Sequence, residues 1–98
     1  MIMSLMVAKV KAGVEPDSPQ WQEGWEFGQR FFKEAGVKHL FSAFDDKTRT
    51  QYIVSIWESE DDLAKLRNDS RYRPMSDQTA EKLWDGPPQI MAMPATGF

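Results

Sequence analysis

Gln51-Tyr52-Ile53-Val54-Ser55-Ile56-Trp57-Glu58-Ser59-Glu60-Asp61-Asp62-Leu63-Ala64-Lys65-Leu66 is the stretch that decides the fold. Its first seven residues are rich in β-branched and aromatic side chains and read as a well-buried strand. Glu58 and Ser59 break that pattern. Ser59 has the chemistry of a helix N-cap, and Glu60, Asp61 and Asp62 fall in the first turn, where carboxylates meet the positive end of the helix dipole. Leu63, Ala64 and Leu66 supply the apolar face of the helix so begun. With a side-chain period of two, Ile53, Ser55 and Trp57 share the side of the strand expected to face the helices, while Tyr52, Val54 and Ile56 share the other. Trp57, at the end of the strand, is expected at a mouth between sheet and helix, a setting suited to a small molecule.

Upstream, Asp45-Asp46-Lys47-Thr48 is a polar turn preceded by alternation over residues 37–44, so two strands form a hairpin. Before it, Asp17 or Ser18 can cap a helix whose first turn accepts Pro19. Trp21, Trp25, Phe31, Phe32 and Ala35 recur along that helix at helical spacing, with Gly28 between them and Phe27 widening the stripe, until Gly36 ends it. Residues 2–11 fit a first strand that is apolar on both sides, with Met3, Leu5 and Val7 opposite Met6, Ala8 and Val10. Such a strand is expected to be covered twice, by helices on one side and by something else on the other, a second subunit being one candidate.

Downstream, the helical signal fades at Asn68-Asp69-Ser70 and resumes toward Trp84. Pro74 predicts a bent or two-piece helix, with Met75, Thr79, Ala80, Leu83 and Trp84 turned inward. Gly86-Pro87-Pro88 stops it, residues 89–93 form a last strand, and Pro94 confines that strand to a sheet edge. The order strand, helix, strand, strand, helix, strand predicts one α+β domain over residues 1–98. It is the ferredoxin-like split βαββαβ arrangement, with helices on one face of an antiparallel sheet. The bare apolar face needs a partner, and face-to-face pairing of two copies as a homodimer is the simplest answer.

Composition narrows the function. The 41% apolar and 28% charged content is that of a globular protein, and a net charge of -3 lacks the positive excess that nucleic acid requires, so no nucleic-acid partner is expected. Cysteine is absent, which removes thiolate nucleophiles and zinc-thiolate sites. With a single histidine, a metal centre would rest on carboxylates, and Asp45-Asp46 and Glu60-Asp61-Asp62 read as turn and cap chemistry without ligand spacing, so no metal is expected. The apolar run at the N-terminus has no basic leader and falls far below the roughly 20 residues that cross a bilayer. A cytoplasmic protein with no membrane partner is expected.

Ile56-Trp57-Glu58-Ser59-Glu60 at the end of the third strand, Gly86-Pro87-Pro88 before the last strand, the length and the element order together resemble the antibiotic biosynthesis monooxygenase family, within the dimeric α+β barrel superfamily. The resemblance implies a dimeric α+β barrel. It also implies cofactor-independent oxidation of a phenolic or polycyclic aromatic substrate in a pocket between sheet and helices. Trp57 matches the family's pocket tryptophan, whereas Ile53 stands where members carry asparagine and Leu63 where they carry tyrosine. Haem-degrading relatives use an asparagine on the first strand, a tryptophan on the second helix and an iron-binding histidine; here Val7-Ala8-Lys9, Leu66 and Met75-Ser76 occupy those places. Cyclase relatives place a histidine at the start of the first strand, where this chain has Ile2 and Met3.

The candidate catalytic residues are His39, Tyr72 and Arg73. His39 titrates near neutral pH without perturbation and is the default general base, although no neighbour completes a triad around it. Tyr72 and Arg73 stand at the helix bend, where a guanidinium could hold an anionic oxygen. The candidate pocket walls are Trp57, Ser55, Ile53, Leu63, Trp25 and Phe32, with core packing the competing role for every aromatic among them. Two functions are expected from these residues: a cofactor-independent monooxygenase or related enzyme acting on an aromatic small molecule, or a non-catalytic dimeric module that binds a hydrophobic molecule or forms an interface. No cofactor is expected under either.

Overall fold

The structure, a computed structural model, describes residues 1–97. The chain runs β1 (Ile2–Lys9), α1 (Pro19–Glu34), β2 (His39–Asp45), β3 (Thr50–Trp57), α2 (Glu60–Arg67), α3 (Tyr72–Leu83) and β4 (Gln89–Pro94). The strands form one antiparallel sheet in the order β2-β3-β1-β4. This is the ferredoxin-like α+β arrangement, with its second helix divided in two.

The expected caps are in place. Ser18 Oγ accepts the Trp21 N–H at 3.3 Å with Pro19 opening α1, and Ser59 Oγ accepts the Asp62 N–H at 3.4 Å at the start of α2. Gly36 leaves α1 at φ 95°, a left-handed conformation that glycine adopts without strain. The division between α2 and α3 falls at residues 68–71, ahead of Pro74. Proline is only the third residue of α3, where its missing N–H has no partner to lose, so it helps to begin a helix that it was expected to interrupt. The linker is fixed by charge instead. Asp69 accepts the Arg71 backbone N–H at 2.9 Å and its guanidinium at 2.8 Å, and Arg71 reaches Glu34 of α1 at 2.8 Å while lying 5.2 Å over the Phe31 ring.

Arg49 adopts a positive φ of 55° in the β2–β3 turn. Its guanidinium donates to the Lys11 carbonyl at 3.0 Å, to the Val14 carbonyl and to Glu15 at 3.0 Å, and lies 5.1 Å over Phe44. Those contacts offset the left-handed backbone and tie the β1–α1 loop to the hairpin.

Register assigns the sheet faces. Ile2, Ser4, Met6 and Ala8 stand opposite Trp57, Ser55, Ile53 and Gln51, and this side lies beneath the helices. Trp57 is wholly buried, and Ser55 and Gln51 are nearly so. The other side carries Met3, Leu5, Val7, Tyr52, Val54 and Ile56, with Phe41 from β2 and Met91 and Met93 from β4, and none of the described residues covers it. Phe41 is 60% exposed there.

Under the helices the core divides in two. Ala8, Val10, Trp21, Leu83 and Trp84 pack at one end, and Phe32, Trp57, Leu63 and Leu66 at the other. Each half contains a buried indole whose N–H needs an acceptor, and β3 provides both: Trp57 Nε1 donates to Ser55 Oγ at 2.8 Å, and Trp84 Nε1 to Gln51 Oε1 at 2.9 Å. Gln51 Nε2 in turn donates to Ser42 Oγ at 3.1 Å. Helices α1 and α3 meet where a Cβ on Gly24 would lie 2.9 Å from Thr79 Cγ2. A glycine inside a helix costs about 0.5–1 kcal/mol relative to alanine, and this contact accounts for it.

Two outcomes follow for stability. Trp57→Ala destabilises the fold by about 3–5 kcal/mol in urea unfolding, whereas Ser55→Ala, which leaves an indole N–H without its acceptor, costs about 1–3 kcal/mol. The Arg71 contacts hold the Asp69 carboxyl down at about 2, from its ordinary 3.8. A depressed carboxyl stabilises the fold above the ordinary value and ceases to do so as pH falls toward 2. Carbon-detected NMR titration of Asp69 should therefore give a midpoint near 2 in the wild type and a higher one in Arg71→Gln, still below the ordinary carboxylate value because the backbone N–H bond is kept.

Candidate functional site

Between the two halves of the core lies a cleft of about 70 Å³. Its floor is the sheet, with Met6 of β1, Leu40 of β2, and Gln51 and Ile53 of β3. Helix α1 forms one wall through Trp25, Phe27, Gly28, Phe31 and Phe32, and α3 the other through Tyr72, Met75, Ser76 and Thr79. The aromatic spacing of α1 turns this wall inward, because residues three and four apart share a helix face. Tyr72 closes one end, its ring edge-on to Phe31 and Phe32 with centroids 6.1 Å apart in both cases. Trp21, Leu83 and Trp84 close the other.

The surroundings of the cleft are apolar, with a few fixed polar groups. Tyr72 is the one ionisable side chain that lines it among the described residues. Burial raises the Tyr72 phenol above its ordinary 10.0, outweighing the neighbouring Ser76 hydroxyl and the Arg67 charge, which pull it down. Tyr72 is thus a protonated hydrogen-bond donor at neutral pH. Gln51 presents the remaining amide capacity of a side chain already held by Trp84 and Ser42. Among the described residues no three histidine, aspartate or glutamate side chains converge to hold a metal ion, and no helix is long and apolar enough to cross a membrane.

Of the residues expected at a site, Tyr72, Trp25, Phe32 and Ile53 come together in this cleft. The others stand elsewhere. His39 projects from the opposite side of the sheet, opposite Ile56 and stacked on Phe41 at 6.3 Å, so it cannot reach the cleft as a base. Arg73, one residue from Tyr72, is turned about 100° around the helix and is exposed to solvent. Trp57 is packed against Phe32, with centroids 5.7 Å apart, and does not border the void. The reason lies in the two-residue connection from β3 to α2, which draws that helix down over the indole. Ser55 serves the indole N–H, and Leu63 lies beneath α2 in the same packed half of the core. Leu63 also borders a second groove, between α2 and β4, but Glu60 and Arg67 stand at its edge and, among the described residues, no aromatic side chain lines it.

Gln51, Gly28, Phe31 and Ser76 belong to the cleft and were not among the expected site residues. Gln51 had a sequence signal: it is a polar residue in phase with Ile53 and Trp57 on the helix-facing side of the strand. Gly28 had one too, as a glycine inside an aromatic helical stripe.

No protein-family model matches the chain, and no curated protein matches it. Solved structures do. SnoaB of Streptomyces nogalater, a cofactor-independent oxygenase, superposes with a TM-score of 0.77 at 12% identity over 99% of this chain and 94% of its own. A Bordetella bronchiseptica protein provisionally named an antibiotic biosynthesis monooxygenase gives 0.76 at 18% identity over 97% and 96%. Rv0793 of Mycobacterium tuberculosis gives 0.62 at 8% identity over 99% and 96%. From end to end, this chain has the ferredoxin-like α+β fold of the antibiotic biosynthesis monooxygenases.

Proposed function

We propose that the chain is a monooxygenase-like enzyme that works as a homodimer and oxidises a phenolic aromatic molecule without a cofactor. The observation that carries this reading is the aromatic-walled cleft under α1 and α3, with the protonated Tyr72 hydroxyl at its end. The fold shared with SnoaB, a cofactor-independent oxygenase, supports the reaction class. In this reaction a ring C–H para to the phenol hydroxyl becomes a carbonyl. One atom of dioxygen ends on that carbon, and the other leaves as water with the ring hydrogen and the hydroxyl proton. All the electrons that reduce dioxygen come from the ring.

Each residue then has a defined task. Trp25, Phe31 and Phe32 hold the ring and exclude water, which strengthens every hydrogen bond inside. Tyr72 donates to the substrate oxygen and stabilises charge as it develops there. The Tyr72 and Ser76 hydroxyls, one helical turn apart, form a relay along which the phenol proton can leave toward solvent. The bare sheet face, where Phe41 is 60% and Met91 40% exposed, is the surface a second copy would cover. A second reading, a dimeric module that binds the same ligands without chemistry, is favoured by one feature: the one ionisable group that lines the cleft among the described residues keeps its proton.

Oxygen uptake with single-ring phenols, naphthols and anthrones decides between them. Under the enzyme reading Tyr72→Phe lowers turnover at least about tenfold without loss of thermal stability, and His39→Ala leaves it within about twofold. Saturable phenol binding with no oxygen consumption would leave the binding module in its place. For the assembly, sedimentation should give a dimer for the wild type and a monomer for Phe41→Glu; a wild-type monomer at micromolar concentration would refute the pairing.

A further inference from the structure

Resting on the reading of the cleft as a small-molecule site, we infer that Gly28 determines what it accepts: an uncharged molecule with one aromatic ring and a single hydroxyl or carbonyl group. Helix α1 carries two glycines one turn apart, on the same side. Gly24 is required by the approach of α3, since a Cβ there would meet Thr79 and Leu83 at 2.9 and 3.3 Å. Gly28 has no such reason, because none of the described residues beyond its own helix neighbours lies within 4 Å of the place its Cβ would take. That open place is part of the cleft, which Met75 and Ser76 line from the facing helix. The missing side chain at position 28 is therefore empty space available to a ligand.

Size, charge and polarity define the ligand. The cleft measures about 70 Å³, against the roughly 150 Å³ of a dry cavity that holds benzene. Met6 and Met75, which line it, are the side chains best able to shift and make up the difference for one ring. No aspartate, glutamate, lysine, arginine or histidine lines it among the described residues, so a charged ligand would be buried without a partner. The polar groups of its lining are the Tyr72 hydroxyl with the Ser76 hydroxyl beside it, the Thr79 hydroxyl, and the unused part of the Gln51 amide, one N–H and one lone pair. All are uncharged, and they suit an oxygen substituent on an otherwise apolar ring.

Calorimetric titration at neutral pH with p-cresol, 4-methylbenzoate and 2-naphthol tests this on the wild type, Gly28→Ala and Gly28→Leu. The wild type should bind p-cresol at least about tenfold more tightly than the other two, and Gly28→Leu should weaken p-cresol at least about tenfold with Tm unchanged or higher. Gly28→Ala should raise Tm by about 2–8 °C, as expected for a helical glycine held by no packing contact. Should Gly28→Leu fail to fold, Gly28→Ala carries the test, weakening p-cresol about threefold or more as it raises Tm. Undiminished p-cresol binding in both variants, a lower Tm in Gly28→Ala, or equal affinity for 4-methylbenzoate would overturn the inference while leaving the cleft as a ligand site. Absence of binding by all three probes to the wild type would remove the cleft as a small-molecule site, and the inference with it.

Discussion

Two indole N–H groups lie where water cannot reach them, and the arrangement beneath the helices follows from how they are satisfied. Both acceptors come from one side of β3, Ser55 for Trp57 and Gln51 for Trp84. The acceptors are four residues apart, so each tryptophan anchors its own half of the core. Ile53 lies between them on the same side of the strand and becomes floor. The cleft is thus a by-product of hydrogen-bond satisfaction at the two ends of a strand. An apolar residue at position 51 or 55 would leave a buried donor unpaired, a larger loss than the bond itself contributes.

Much of the fold was legible because it depends on local chemistry. Ser18, Ser59 and Gly36 act within a turn of where they stand, and the alternation of β3 needs only its own eight residues. The fading signal at Asn68-Asp69-Ser70 marked the place of the helix break, but the role of Pro74 beside it was harder to read. Pro74 signals an interruption only if it falls inside a helix, and whether residues 68–71 leave the helix first depends on Arg71 reaching Glu34, 37 residues earlier in the chain. Arg49 was invisible for the same reason, since its partners belong to a distant loop.

The site was legible in part. Periodicity groups Trp25 with Phe32 on one helix face and Ile53 with Trp57 on one strand face, while Tyr72 was singled out by its place at the helix bend; neither signal says how deep each lies. Trp57 and Ser55 point the right way yet are sealed behind Phe32. His39 shows another limit: the alternation of β2 groups it with Phe41 and Ala43, but only pairing with Ile56 places that group on the side away from the helices. At 12% identity to SnoaB the architecture persists, and the chemistry of the lining has to be read from this chain's own residues.

The attachment of α1 to α3 has a mechanical consequence. One end is fixed by the fit of Thr79 against Gly24, and the other by the edge-on packing of Tyr72 on Phe31 and Phe32 and by the Arg71–Glu34 ion pair. A beam clamped at both ends cannot swing like a door; it can only bow at mid-span. A guest in the proposed site would therefore be sorted by thickness before length, with the unbranched thioether of Met75 the side chain freest to move aside.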